Sequence, residues 1–372
     1  MKITILQGAF LPVPAVLGGA VEKMWFALGK DFAREGHEVI QVSRTYPGMS
    51  EEEWIEGVLH KRVKGYSTPS SGFYLKWLDL LYTSRARKII PSDSDIVITN
   101  TFWAPIILPT GLKKRCVVDV ARVPKGQMKW YTRSLILRAN SSFVEKAIKK
   151  ELSPDNHRQV KMIPNPLPFV NSTDLDLKDK KNIVLYCGRI HPEKGLELLI
   201  QAFKDIQGWT LKIVGPWETS AGGGGSQYLE KLKQLSDQNV EFTGAIFDAH
   251  ELNMIYRDAA IFVYPSVAEK GETFGLAPLE AMAWGCVPIV SNLECFRDFI
   301  THGQNGLVFD HRDQDAVSYL REAIMYMQKE TSHRVQMSAE AVKVRESHST
   351  RKIAYSFLKE FKKSMNEQHF NY

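Results

Sequence analysis

The sequence predicts an α/β protein of two doubly wound, mainly parallel-sheet domains. Two observations carry this. Short apolar runs alternate with longer helical patterns along most of the 372 residues. The alternation breaks at a proline-rich segment near the middle and then starts again. Strand–helix alternation gives a parallel sheet covered by helices on both faces. A chain of this length suits two domains, each able to bury a core.

Ile3–Leu6 reads as the first strand. A loop with Gly18 and Gly19 follows, then a helix over about 20–35, and "GHEV" leads into a second strand. "DIVITN" (Asp95–Asn100) and "RCVVDV" (Arg115–Val120) are further strands. "KMIPNPLP" (Lys161–Pro168) closes this half, its prolines suiting a linker. After it, "NIVLYCGR", "TLKIVG", "VEFTG", "AIFVYP", "CVPIV" and "GLVF" are strands with helices between them. "SAGGGGS" (Ser220–Ser226) reads as a flexible loop. It is not a dinucleotide fingerprint, because it does not join a domain's first strand to its helix. The tail from about Asp313 is helical. "IAYSFLKEFKKS" (Ile353–Ser364) is amphipathic, with no strand after it, and is expected to pack across the domain junction. The expected domains are 1–166 joined by about 350–372, and 167–349. Ligands of such sheets lie beyond the carboxyl ends of the strands. Both sets of ends are therefore expected to face one inter-domain cleft.

Composition is that of an ordinary globular protein, with 44% apolar and 24% charged residues and a net charge of +6. None of the four cysteines forms a CxxC pair, and buried reduced thiols point to the cytoplasm. The start "MKITILQGAF" is a strand and not a signal peptide. No run approaches the 18 apolar residues that a membrane span needs.

The stretch "GETFGLAPLEAMAWGCVPIV" (Gly271–Val290) holds Glu272 and Glu280, eight positions apart. A helix starting near Leu276 leaves Glu272 on the preceding loop and Glu280 in its first turns. First-turn amides have no intrahelical partner and carry partial positive charge, which suits a phosphate. "CGRIHPEKG" places Arg189 and Lys194 between the second half's first strand and its helix. Arg189 can fork onto phosphate oxygens, and Lys194 adds a point charge. Gly18 and Gly19 let the backbone approach a ligand at the corresponding place in the first half. "SDSD" (Ser92–Asp95) precedes a strand at its amino end and reads as a solvated turn. No His/Cys/Asp cluster has metal spacing.

Together these stretches resemble the retaining glycosyltransferases of family 4, which have the GT-B fold of two Rossmann-like domains. "ETFGLAPLEAMAWGCVPIV" is similar to that family's E-x7-E motif, and "GRIHPEKG" to its Arg/Lys diphosphate motif. "GGAVEKMWFALGKDFAREGHEV" resembles its first loop and helix. "MIPNPLP" resembles its inter-domain Pro-Asn segment, and "DAAIFVYPS" the strand before the E-x7-E motif. The resemblance implies that Glu280 binds the ribose of a nucleotide sugar and that Glu272 lies near the donor sugar's hydroxyls. It implies that the amides of Phe274, Gly275 and Leu276 receive the diphosphate, with Arg189 and Lys194 opposite and Gly18 and Gly19 approaching from the first domain. Two cations then offset the diphosphate charge, and no metal or other cofactor is expected.

The first half departs from the family pattern. No histidine occurs between His60 and His157. The acceptor-side candidates are Asn100, Asp119 and Arg122. The expected function is a cytoplasmic, metal-independent retaining transferase. It would move a hexose from a nucleoside-diphosphate sugar, UDP-glucose first, to a saccharide or lipid-linked saccharide in polysaccharide or glycoconjugate synthesis. A sugar-nucleotide epimerase and a non-catalytic nucleotide-sugar module are the alternatives. Residues 113–150 hold eleven Lys or Arg and only two acids. Within them "MKWYTRSLILR" (Met128–Arg138) interleaves cations with Trp130, Tyr131, Leu135 and Ile136, and upstream "FYLKWLDLLY" (Phe73–Tyr82) offers more aromatic surface. An anionic or membrane-held acceptor at the inner face of the membrane is expected from this. Nucleic acid is not, since no nucleic-acid-binding motif accompanies the patch.

Overall fold

In a computed structural model, which describes residues 1–69, 71–168, 175–246 and 248–369, each half builds its own sheet. One unit comprises Met1–Val170 with His348–Tyr372, the other Asn171–Ser347. The last three residues of the expected 350–372 segment lie outside the described residues.

The first unit runs β1 (Lys2–Leu6), α1 (Ala20–Arg34), β2 (Glu38–Arg44), β3 (Glu52–Ile55), β4 (Val58–Val63), α2 (Gly72–Ala86), β5 (Ile96–Thr99), α3 (Ala104–Ile107), α4 (Thr110–Lys113), β6 (Cys116–Val120), β7 (Ile136–Ala139), α5 (Ser142–Lys150) and β8 (Val160–Met162). The strands order as β3-β4-β2-β1-β5-β6-β7-β8. All pairings are parallel except that of β3 with β4. β5, β6 and β7 are buried on both faces, as a sheet covered twice requires, whereas β3 and β4 at one edge are not. Along β5, Ile96 and Ile98 join one core cluster with Trp25, Leu28 and Phe32, while Val97 joins another with Tyr82 and Ala86. α1 earns its helix from apolar residues at helical spacing, Met24, Trp25, Leu28 and Phe32. Glu22 in its first turn and Arg34 in its last complement the macrodipole.

The second unit runs β9 (Lys181–Cys187), α6 (Leu196–Phe203), β10 (Thr210–Val214), α7 (Gly225–Leu235), β11 (Val240–Gly244), α8 (Ala249–Asp258), β12 (Ala259–Tyr264), α9 (Leu276–Ala283), β13 (Val287–Ser291), β14 (Leu307–Phe309), α10 (Ala316–Lys329), α11 (Thr331–Val342) and α12 (Val344–Ser347). Its sheet is parallel throughout, in the order β11-β10-β9-β12-β13-β14. Counted within the unit this is 3-2-1-4-5-6, the doubly wound order, and it reverses between β9 and β12.

The last helix, α13 (Thr350–His369), returns to the first unit. Ile353, Ala354, Phe357, Leu358 and Phe361 form its apolar stripe and are buried in the cluster of α1. The Phe357 ring lies 5.1 Å from Trp25, and Phe361 lies 6.1 Å from Phe32. Burying each such ring stabilises by roughly 1.5–3 kcal/mol. The amphipathic face read in the sequence therefore belongs to the first unit's own core. All four cysteines are free thiols, three buried and Cys187 half-buried. Burial pushes Cys286 up to about 11.

Candidate active site

The sheet of the second unit reverses between β9 and β12, and the loops leaving those two strands carry the residues singled out in the sequence. After β9 the chain passes Gly188 and Arg189, then a short turn over Pro192–Lys194. Gly195 ends that turn with φ 68°, and a Cβ there would stand 2.1 Å from the Pro265 carbonyl oxygen. Only glycine lets this loop lie against the end of β12. The closeness brings Lys194 to the second loop. Its Nζ is 2.7 Å from Glu272 Oε2, with side chains only 7% and 12% exposed. The same ammonium lies 5.4 Å from the Tyr264 ring. Arg189 donates to the Gly222 carbonyl at 2.8 Å and to Glu193 Oε1 at 2.8 Å.

The loop after β12 enters α9 through Gly275 at φ 91°. A Cβ there would meet the Phe296 ring at 2.4 Å, so glycine is again required. Phe274 is buried against Phe299, ring centroids 5.4 Å apart. α9 begins at Leu276, so its first-turn amides have no intrahelical acceptor. Glu280 sits one turn in, and Tyr256 Oη donates to its Oε2 at 3.4 Å. One cationic loop, one helix start and two carboxylates thus converge at the switch point. The set is suited to an anion flanked by hydroxyls.

The first unit holds a cavity of about 600 Å³ at its own switch point, between β1 and β5. Gly19, Asn100, Asp119 and Arg122 line it together. Gly18 adjoins it at φ 80°. Asn100 Oδ1 is buried and accepts no hydrogen bond from the described residues. Glu22 also lines this cavity, a residue that the sequence reading passed over. Burial pushes its carboxyl above the usual range, and the charge of Asp119 adds to that. The signal was present in "GGAVEK": a carboxylate in the first turn after a glycine pair.

Three readings of the sequence are corrected. Asp119 lines the cavity, but its carboxylate is already bound within the fold. Oδ2 accepts from Trp25 Nε1 at 2.8 Å, and Oδ1 from Arg138 at 2.7 Å, with both side chains of that pair fully buried. Arg138 further donates to the Ile163 carbonyl and to Asn165 Oδ1, so it ties the "IPNP" segment to β7. It is therefore no surface cation. Tyr131, Leu135 and Ile136 are likewise core, and within Met128–Arg138 only Lys129, Trp130 and Arg133 are exposed. "SAGGGGS" is built against its surroundings: a Cβ at Gly223 would meet Trp217 backbone at 2.3 Å, and the Gly222 carbonyl receives Arg189. "SDSD" opens as the expected solvated turn, with Ser92 and Asp93 exposed, and closes with Ser94 buried against Thr4 and Asp95 accepting the Lys2 amide at 2.8 Å, pinning β1 to β5. Among the described residues no group of three or more His, Cys, Asp or Glu could hold a metal, and no helix is long and apolar enough to cross a membrane.

Two doubly wound units, the second with a switch point suited to an anion, are those of the glycosyltransferases of GT-B fold. Residues 170–344, almost all of the second unit, match the family model of glycosyl transferases group 1. It is similar to an uncharacterized glycosyltransferase of Methanocaldococcus jannaschii, 26% identical over 86% of this chain and 87% of the relative. Among solved structures it resembles sucrose-phosphate synthase from Thermosynechococcus elongatus, with a TM-score of 0.78 at 20% identity over 100% of both chains. It also resembles Anabaena HepE in complex with UDP and glucose, with a TM-score of 0.71 at 16% identity over 96% of this chain and 98% of that one.

Proposed function

We propose that this glycosyltransferase is a family 4 enzyme that moves a hexose, with retention, from a nucleoside-diphosphate sugar to a saccharide or lipid-linked saccharide. UDP-glucose is the first donor to test; the HepE structure holds UDP and glucose, which supports that choice. The observation that carries the reading is the Lys194–Glu272 pair beside Arg189 and the start of α9. Arg189, Lys194 and the amides of Phe274, Gly275 and Leu276 hold the diphosphate. Glu280 takes the ribose, and Glu272 lies beside the sugar. In the reaction the bond from the sugar's anomeric carbon to the β-phosphate oxygen breaks, and a bond to the acceptor oxygen forms on the same face. The acceptor's proton passes to the leaving diphosphate. Negative charge grows on that diphosphate, so cations placed there stabilise the transition state more than the ground state. Nothing in this scheme calls for a divalent ion. The acceptor binds in the first unit at Asn100 and Arg122, on the cytoplasmic face of a membrane when it is lipid-linked.

The test is a thermal-shift panel of UDP, ADP and GDP sugars on the intact chain. A ligand at 100 times its dissociation constant adds about 2.7 kcal/mol. UDP-glucose is expected to give the largest shift, in EDTA as in magnesium. A flat response to every nucleotide sugar would sink the reading. The anomeric configuration of the product, read by NMR, tests retention.

A further inference from the structure

The first unit carries a second cavity, of about 570 Å³, that no step of the proposed reaction uses. Phe102 lines it and also lines the cavity of Asn100 and Arg122, so one side chain forms the wall between them. We infer that this second cavity seats a single hydrocarbon chain bearing a phosphate, which makes the acceptor a phosphorylated amphiphile. The inference rests on the reading of the Asn100–Arg122 cavity as the acceptor site.

The walls are rings. Phe102 meets Trp103 and Trp130 edge-on, with centroids 5.1 and 6.0 Å away. Phe102 and Trp103 are anchored by hydrogen bonds. Trp103 Nε1 donates to the Lys76 carbonyl at 2.7 Å, the Phe102 amide donates to Asp79 at 3.1 Å, and Tyr131 Oη donates to the Phe102 carbonyl at 2.8 Å. These two rings are thus fixed in place, and Trp130, 53% exposed, packs edge-on against Phe102. Such a wall binds a chain without first having to be ordered.

The rim is cationic. Lys76, Lys113 and Arg133 line it, no acid does, and none of the three makes an ion pair with a described residue. Lys76 Nζ stands 4.6 Å over the Phe102 ring, at the boundary between the two cavities. Three unmatched cations around an apolar hole complement an anion attached to something apolar. A neutral sugar fits poorly, because its hydroxyls donate as well as accept and no carboxylate or amide side chain lines this cavity. The apolar surface continues outward along α2. Phe73, 85% exposed, lies one turn from both Lys76 and Trp77, and Trp77 is 51% exposed. Grouped exposed rings beside cations are what an amphiphile would cover.

The test is calorimetric titration of the intact protein with decyl phosphate below its micelle concentration, against decanol and inorganic phosphate. Decyl phosphate is expected to bind at least about tenfold more tightly than either half alone. Lys113→Glu with Arg133→Glu, and separately Trp130→Ala, should each weaken it about tenfold or more. All three side chains lie at the surface or rim, and an unchanged melting temperature will show that the variants fold. Equal affinity for inorganic phosphate, or equal binding by the variants, overturns the proposal. So does binding to vesicles of anionic phospholipid without any binding of decyl phosphate, which would make the face a bilayer contact and not a chain cavity. Arg122→Ala separates the two readings. If it binds decyl phosphate normally and transfers sugar at the wild-type rate, the acceptor site was misplaced; if decyl phosphate fails to bind the wild type, the cavity was misread.

Discussion

Lys194 Nζ lies 2.7 Å from Glu272 Oε2, and the two side chains are 7% and 12% exposed. The sequence separates them by 78 residues and three helix–strand repeats, and Gly195, packed under Pro265, joins them. A buried pair seldom stabilises more than apolar residues would, but removing one partner leaves the other charge stranded. Lys194→Met or Glu272→Gln should each destabilise the protein by about 3 kcal/mol or more. The double variant should lose less than the sum of the two. Urea unfolding of the four proteins measures this, and strict additivity would mean the pair is not coupled.

Arg189 is 44% exposed, and its partners are a carbonyl and a surface carboxylate. Arg189→Ala should therefore leave stability nearly unchanged while weakening UDP binding. A charge-assisted bond contributes about 1.5–3 kcal/mol, or about ten- to a hundredfold in affinity. The loss in kcat should exceed the loss in binding, because the diphosphate gains charge in the transition state. Unaltered kinetics would remove Arg189 from the donor site.

Glu272 and Glu280 differ in what they face. Glu280→Ala should raise KM for the donor with little change in kcat, since a ribose does not react. Glu272→Ala should lower kcat, because on the proposed assignment it adjoins the sugar, and it holds Lys194. Steady-state kinetics of the two variants decides. The opposite split would exchange their roles.

Asp79 on α2 accepts the Phe102 amide, and burial pushes its carboxyl from the ordinary 3.8 up to about 6. A raised folded-state value means the folded protein prefers the neutral acid. Stability from this group is complete below about pH 4 and is lost as pH rises through about 6. Asp79→Asn keeps an acceptor for Phe102 without the charge. It should match the wild type near pH 4 and be the more stable by roughly 3 kcal/mol at pH 7. Denaturation at both pH values checks this; no pH-dependent difference would show that the carboxyl titrates normally.

Asp119→Ala should behave as a structural lesion. It leaves the Arg138 guanidinium fully buried without its counter-ion, at a cost of about 3–5 kcal/mol. Arg122→Ala, at an exposed position, should spare stability and raise the acceptor KM instead. A stable Asp119→Ala protein defective only in acceptor binding would restore Asp119 as an acceptor ligand.

The sequence by itself determined the α/β alternation, the restart after the proline-rich segment and the neighbourhood of Arg189, Lys194, Glu272 and Glu280. These were legible because strand and helix periods are local. A strand's carboxyl end followed by a glycine-bearing turn also has few uses other than binding. The apolar stripe of α13 was equally plain, but nothing local said that Trp25 and Phe32 would be its partners. Tertiary structure alone decided which charges face ligand and which are matched inside. Asp119 and Arg138 read as candidate surface or site residues until β6 and β7 pair and set them face to face. Trp130 and Tyr131 are adjacent, yet one is exposed and the other buried, because the backbone turns between them. Glu22 was hidden for the converse reason: a carboxylate in a helix's first turn is ordinary until the end of β5 closes over it. Charge and apolarity are properties of residues, whereas burial and pairing belong to the whole sheet, and only the folded chain fixes them.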